Sequence, residues 1–315
     1  MSPTLQCLSS FTHPQLISSV IAIRIVGWTF TTEKYCRTNG TQQTHSTTTT
    51  LIDAFELSLN FQGIGWNWGK INHASSSSFH VWRSLLKVVG QIILFDLIHA
   101  TSTYLLPPYS SGSIYGASLA VIPRYVLASV ISFLLSCMIY LFIDTNYTLL
   151  ALAAVLFLQN DPSYWPPIFN SPWSSTSLAD FWGRRWHQVF RHTFLTAGRP
   201  LGRSFGQAGL VMGSFFASGI VHAVGIWGMG RGGDHDFIRV CGSFLMMGVG
   251  IACERWYHFL TGNEVGGRIG KLWTMVWMAG WSSMMFDVWV HNGMMDSVFL
   301  PSFLRASTLI TCSLH

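Results

Sequence analysis

The sequence predicts an all-α fold, a polytopic bundle of transmembrane helices. Of its 315 residues 50% are hydrophobic and only 10% are charged, where soluble domains carry roughly 25% charged residues. A soluble fold built from this chain would lack a solvated surface. The apolar residues are gathered into runs of about 20, the length that crosses the hydrocarbon core of a bilayer. The 14 Trp and the net charge of +5 fit the same architecture, with indoles anchored in the headgroup layer and basic loops on the cytosolic side. Nucleic-acid binding is a poor reading of that charge, because the basic residues are interleaved with the apolar runs rather than gathered on one soluble face.

Residues 1–50 read as a divergent or truncated N-terminal segment. Residues 16–23 are apolar but too short to span, Arg24 interrupts them, and a Thr-rich tract at 47–50 comes next. The basic start and small-residue cleavage site of a signal peptide are both missing. Residues 51–65 read as a loop or interfacial piece leading to an aromatic turn, Gly63-Ile-Gly-Trp-Asn-Trp68, whose Trp66 and Trp68 suit the headgroup layer. The first span is 85–106, with Asp96 and His99 inside it, and the second is 118–143, with Pro123 and Arg124 near its start. Residues 147–158 stay apolar but are short, which fits a half-span, a re-entrant piece or a helix ended by the prolines after it. Residues 209–227, 237–259 and 272–290 complete five spans and a shorter sixth. The membrane domain is therefore 51–295, and 296–315 is a C-terminal tail.

Pro162, Pro166, Pro167 and Pro172 push their preceding residues away from helix and separate the short segment from the stretch beginning at Ser177. The stretch 184–203 holds Arg184, Arg185, Arg191, Arg199 and Arg203, which assigns it to the cytosolic side. The glycine-rich run 262–270 lacks both the GxGxxG spacing and a preceding strand, so it reads as a tight inter-helix loop and not as a dinucleotide site. The cysteines Cys7, Cys36, Cys137, Cys241, Cys253 and Cys312 form no CxxC pair, and three lie in apolar runs, where a thiol acts as a small hydrophobe. Neither a disulfide framework nor a metal site is read from them. Two N-x-T triplets, at Asn39 and Asn146, match the glycosylation pattern and matter only on lumenal loops.

The run Ser177-Leu-Ala-Asp-Phe-Trp-Gly-Arg-Arg-Trp-His-Gln-Val-Phe-Arg191 opens with the S-x-x-D pattern of a capping box, which predicts a helix start. Helical spacing then sets Asp180, Arg184, His187 and Arg191 on one face and Phe181, Trp182, Trp186 and Phe190 broadly on another. Such a helix can lie at the membrane surface with its aromatic side in lipid and its charged side toward a cytosolic ligand, or simply orient the protein. Downstream, His222 sits in the middle of an apolar span, just after Ala217, Ser218 and Gly219. Ionisable groups at that depth face a bundle interior or a wet cavity, and small neighbours admit a second helix or a substrate. The plain alternative is a neutral histidine hydrogen-bonded across helices. Glu254 and His258 are four apart and can pair, which favours a structural role for them.

The run SLADFWGRRWHQVFR, followed 35 residues beyond His187 by SGIVH ending at His222, resembles the wax-synthase-like branch of the membrane-bound O-acyltransferases. The elements GIGWNW at 63–68 and GGRIGKLWTMVW at 266–277 are similar to fungal members of that branch. The resemblance implies transfer of an acyl group from acetyl-CoA or another acyl-CoA, a co-substrate with no tightly bound cofactor, to a hydrophobic alcohol. It implies His222 as the catalytic base. His187 stands where plant wax synthases carry asparagine, as a partner that orients the substrate, binds the acyl carbonyl or shares proton transfer. The guanidinium groups of Arg184, Arg185 and Arg191 suit the phosphates of CoA. Fungal relatives often acetylate terpenoid or meroterpenoid alcohols, and plant relatives make wax esters, so a rigid terpenoid acceptor is expected in a multi-pass protein of the endoplasmic reticulum. Readings of another class are a non-catalytic scaffold, a histidine-ligated haem protein, or a transporter whose His99, His222, His258 and His291 lie along one path.

Overall fold

Where the long helices run is decided by the few polar residues inside them. A computed structural model describes residues 14–29, 34–37, 80–107, 112–116, 118–228 and 232–295, with shorter pieces between 50 and 69. Asn39 with its triplet and the tail 296–315 lie outside the described residues. Within them the main helices are α1 (Pro14–Thr29), α2 (Val81–Leu105), α3 (Val121–Phe157), α4 (Arg191–Gly228), α5 (Asp234–Thr261) and α6 (Gly267–His291). Helices α3, α4 and α5 are long and apolar enough to cross a membrane, and the protein is a membrane helical bundle, as its composition requires.

The second span and the short segment after it are one helix, α3, of 37 residues. At 1.5 Å per residue it is roughly 55 Å long, well beyond the bilayer core. It passes through Asp144 because that carboxylate is satisfied across the bundle: Gln91 Nε2 donates to it at 2.6 Å and Lys87 Nζ lies 2.7 Å away, both from α2. Thr148 also turns its hydroxyl back to the Asp144 carbonyl at 2.7 Å. The triplet at Asn146 therefore lies inside a helix and not in a loop.

The fourth helix differs more from expectation. The span expected at 209–227 is only the second arm of α4, and the basic stretch before it is helical as well. Phe205 (φ −124°, ψ 15°) and Gly206 (φ 60°, ψ −146°) break the helix, and the chain folds back on itself. Gly206 takes a left-handed φ that side chains avoid. The two arms then touch through glycines. A Cβ added at Gly198 would lie 2.5 Å from the Leu210 carbonyl oxygen, and one at Gly213 would lie 2.9 Å from Gly198 Cα.

The helices form an arc in which α1 packs on α4, α4 on α5, α5 on α6, α6 on α3 and α3 on α2. One core joins α2, α3 and α6 through Phe95, Ile131, Leu135 and Phe286. A second joins α4, α5 and α6 through Ala223, Ile226, Val240 and Val288. Gly219 allows the close crossing, since a Cβ there would stand 2.9 Å from Cys241 Cα. The loop after α5 is tight, as the glycines predict: Gly262 caps α5 with φ 71° and α6 begins at Gly267.

Candidate functional site

The connection from 158 to 190 descends into the arc. Tyr147 Oη donates to the Pro166 carbonyl at 2.7 Å, Tyr140 meets Phe169 and Trp173, and Phe133 meets Trp173. Between Tyr147 and Phe133 this covers 14 residues of α3, about 20 Å of depth. The prolines limit the segment to single 3-10 turns, Pro162–Tyr164 and Pro172–Ser174, in place of a longer helix. At its lower end Ser177 Oγ accepts from the Asp180 N–H at 2.9 Å, the predicted cap. Glu254, buried in α5, accepts from the amides of Leu178 (2.6 Å) and Ala179 (3.0 Å) and from the Trp273 indole (2.9 Å). It is committed there, and a cap on this turn takes the place of a pairing with His258.

The helix predicted over 177–191 does not continue. After Leu178–Asp180 the chain widens into a π-turn, Phe181–Arg185, and ends where the Trp186 amide bonds back five residues to Phe181. The reason is Asp180. Its two oxygens hold Arg184 and Arg185 together, and only a turn wider than an α-helix brings positions four and five residues on to the same side. Burial alone would raise the pKa of Asp180, but hydrogen bonds and charges from Arg185 and Arg184 outweigh it and hold the carboxyl below its ordinary value. Gln188 closes the turn by donating to the Trp182 and Trp186 carbonyls. The aromatic residues consequently turn inward. Phe181 and Trp186 stack at 5.3 Å and Trp182 meets Phe215 of α4 at 5.5 Å, so this face lines the protein interior instead of lipid.

The glycine-paired hairpin explains how His187 reaches His222. The register that sets Gly198 beside Gly213 brings position 222 opposite the stretch between His187 and Arg191. Both histidines line one cavity of roughly 1790 Å³, enclosed by α3, α4, α5, α6 and the inserted connection. His222 Nδ1 lies 2.7 Å from the Ser218 carbonyl. A carbonyl only accepts, so Nδ1 carries the ring proton and Nε2 keeps its lone pair. The ring is clasped by Phe244 at 4.4 Å and by Trp289, nearly parallel, at 6.2 Å. His187 Nδ1 is buried with no hydrogen-bond partner among the described residues. Burial, and after it the charge that His222 can carry, pushes the His187 pKa down to about 4, which leaves it neutral at physiological pH.

The three arginines separate. Arg191 lines the cavity. Arg184 and Arg185 do not; the Arg184 side chain is 74% exposed beside Asp180, and Arg185 reaches toward the carbonyls of Asn170 and Ser171. Two further cations line the cavity, Arg255 on α5, legible in the sequence as an ionisable group inside an apolar span, and Lys271 on α6, to which no role was assigned. Lys271 falls within the GGRIGKLWTMVW element, but nothing in the residues around either cation says that it turns toward a cavity. Of the histidines proposed as a path, His99 instead meets the Met295 carbonyl at 3.2 Å. The GIGWNW turn also packs inside the protein. Trp66 is buried under Arg37, and Trp68 lies between Arg24 and His192, at 4.7 and 4.4 Å.

Residues 165–246 match the family described as membrane bound O-acyl transferase. The matched stretch runs from the inserted connection through both histidines to the start of α5. Acetyltransferase eriL of Hericium erinaceus is 25% identical over 234 residues, 70% of this chain and 59% of the relative. O-Mevalon transferase yanI of Aspergillus niger is 30% identical over 210 residues, 57% of this chain and 46% of the relative. A long-chain-alcohol O-fatty-acyltransferase of Simmondsia chinensis is 29% identical over 142 residues, 42% and 38% of the two chains. The chain spans about half the length of the fungal relatives it matches. No solved structure matches it.

Proposed function

We propose that this member of the membrane bound O-acyl transferase family moves an acyl group from acyl-CoA to the hydroxyl of a hydrophobic small molecule held in the cavity. The observation that carries the reading is the tautomer of His222, whose Nδ1 is bonded to the Ser218 carbonyl and whose Nε2 lone pair is left for a substrate. An alcohol is a weak nucleophile, and a neutral imidazole within reach of its proton activates it. Nε2 takes that proton while the alcohol oxygen bonds to the thioester carbon. The tetrahedral intermediate collapses, the C–S bond breaks, and the imidazolium returns the proton to the departing thiolate. His187 remains neutral and so adds no repelling charge to the imidazolium; it serves as a hydrogen-bonding partner to the alcohol or the acyl carbonyl.

The acyl donor fits the end of the cavity that carries Arg255 and Lys271. Phe244, against His222, and Arg255 are 11 residues apart on α5, roughly 16 Å along the helix. That spacing suits an extended pantetheine arm, with the phosphates at the cations and the thioester at the imidazole. Arg191 lies nearer the histidines in sequence and lines the cavity, while Arg184 and Arg185 belong to the inserted connection and are held by Asp180. The positive-inside tendency turns the basic end to the cytosol, where CoA is found, and fits a protein of the endoplasmic reticulum. The acetyltransferase relative and the roomy apolar cavity support acetyl-CoA as donor and a rigid terpenoid or meroterpenoid alcohol as acceptor. The similarity to a long-chain-alcohol acyltransferase favours a second reading, wax-ester synthesis.

Mass spectrometry of a host expressing the chain or its His222→Ala variant, fed labelled acetate with terpenoid alcohols and hexadecanol, separates these. Labelled acetyl esters of a terpenoid are expected with the unmutated chain alone. Long-chain esters would replace the acetyl reading, and the same esters from the variant would remove His222 as base.

A further inference from the structure

Two tryptophans that line the cavity carry indole donors that no group among the described residues uses. The indole nitrogens of Trp182 and Trp289 are buried without a partner there, and both rings line the cavity. On the same helix as Trp289, the indoles of Trp273 and Trp277 do have partners, the Glu254 carboxylate and the Met246 carbonyl. Buried polar groups are nearly always paired, and an exception asks for a reason. An indole N–H only donates, so whatever completes it must bring an acceptor oxygen. Trp182 sits in the aromatic cluster with Phe181, Trp186 and Phe215. Trp289 instead stands over the imidazole of His222, 17° from parallel with centroids 6.2 Å apart, and is held from its edge by Phe286. Two residues earlier on α6, Asp287 accepts from Arg239, from the Ser113 hydroxyl and from the Ile114 amide, which ties this part of the helix to its neighbours.

We propose that Trp289 is a further catalytic residue, whose indole N–H donates a hydrogen bond to the carbonyl oxygen of the acyl thioester and stabilises the negative charge that develops there. This rests on the acyl-transfer reading of the cavity. As the alcohol oxygen bonds to the carbonyl carbon and its proton passes to His222 Nε2, the carbonyl π pair moves onto oxygen. A fixed, dry donor aimed at that oxygen acts in the transition state more than in the ground state. A base and an oxyanion donor that serve one carbon must stand on neighbouring groups, and the imidazole and the indole are neighbours, nearly parallel with centroids 6.2 Å apart.

The test uses the full chain and two replacements of Trp289: Trp289→Phe, and β-(benzothien-3-yl)alanine, which keeps the bicyclic ring but carries sulfur in place of N–H. Carbonyl-labelled acetyl-CoA is the probe for infrared difference spectra, and transfer to the best alcohol of the panel is measured alongside. The bound carbonyl stretch is expected at lower frequency than in solution with tryptophan and back near the solution value with the sulfur ring. The kcat is expected to fall about 10²- to 10³-fold with acetyl-CoA binding unchanged. A shifted carbonyl that persists in the sulfur-ring protein, or a loss confined to KM, overturns the proposal. Absence of saturable acetyl-CoA binding sinks the acyl-transfer reading itself, and with it this inference. Saturable binding with an unshifted carbonyl in the tryptophan protein overturns the indole role alone. Trp182→Phe is expected to leave the carbonyl frequency where it was.

Discussion

A neutral His187 facing His222 has a measurable consequence. Burial, reinforced by the charge of His222, holds its pKa at about 4, while in the unfolded chain it returns to about 6.5. Between those two values the unfolded state binds the extra proton, so stability falls as pH falls from about 6.5 to 4 and is indifferent to this group above that window. The full shift corresponds to at most about 3.5 kcal/mol. The thermal midpoint of the detergent-solubilised protein is expected to drop across that window, and His187→Gln to flatten the drop. An identical slope in the variant would assign the acid loss to other groups. The same residue shows what sequence can and cannot carry. His187 and His222 were legible as candidates from the runs that carry them and from the oddity of a histidine in an apolar span, and the structure brings both to one cavity. Trp289 was not legible even as a candidate, because an unpaired donor exists only once the partners around it are known. For Glu254 a structural role was legible but its partners were not: its (i, i+4) neighbour was visible, and the two amides and the indole that claim it come from other parts of the chain.

At the level of elements, apolar length located the spans and polar residues blurred them. Helix α3 read as two pieces because Asp144 and Asn146 interrupt its apolar run, although the partners that make Asp144 tolerable lie on α2. The capping pattern at Ser177 predicted where a turn starts but not its widening into a π-turn, which depends on one carboxylate holding two adjacent arginines. The hairpin in α4 was hidden for a different reason. Its fold-back at Gly206 is marked by one glycine among several, and the contact of its arms is written in Gly198, Gly202, Gly209 and Gly213, whose spacing becomes informative only when the arms face each other. A side chain at Gly198 would meet the Leu210 carbonyl oxygen and Ser214. Gly198→Val is therefore expected to part the arms, to cost about 1–3 kcal/mol through overpacking, and to lower turnover by moving His187 away from His222. Gly242→Ala, on α5 with nothing within 4 Å of a new Cβ, is expected to leave both stability and turnover near their original values. Thermal unfolding and initial rates of the two variants check this, and a tolerant Gly198 would show that the arms have room the packing denies them.

Across the whole molecule the helices alternate in direction, and charge collects at one end. Arg83 and Lys87 begin α2, Arg203 closes the first arm of α4, Arg255 nears the end of α5, and Arg268 and Lys271 begin α6. At the opposite end Arg239 is engaged by Asp287, and Arg124 donates to the Gly116 and Leu119 carbonyls. Of these two groups of cations, it is the first that reaches the cavity, through Arg255 and Lys271, so a polyanionic donor has one electrostatically favoured approach. If Arg255 and Lys271 meet the phosphates of CoA, they bind the ground state and the transition state alike, and their loss raises KM with little change in kcat. A charge-assisted hydrogen bond of about 1.5–3 kcal/mol, weakened by exposure to solvent, corresponds to roughly a tenfold rise in KM for acetyl-CoA for Arg255→Gln or Lys271→Gln. Arg184→Gln should have a smaller effect, because Asp180 already compensates that charge. Salt supplies an internal control. The Debye length shrinks from about 10 Å at 0.1 M to about 3 Å at 1 M, so KM of the unmutated chain should climb with salt and that of the double variant should climb less. Initial rates against acetyl-CoA at two salt concentrations decide it. A fall in kcat with KM unmoved would shift these cations from donor binding to the architecture of the α5–α6 corner, and would leave Arg191 as the cavity-lining arginine available to the phosphates.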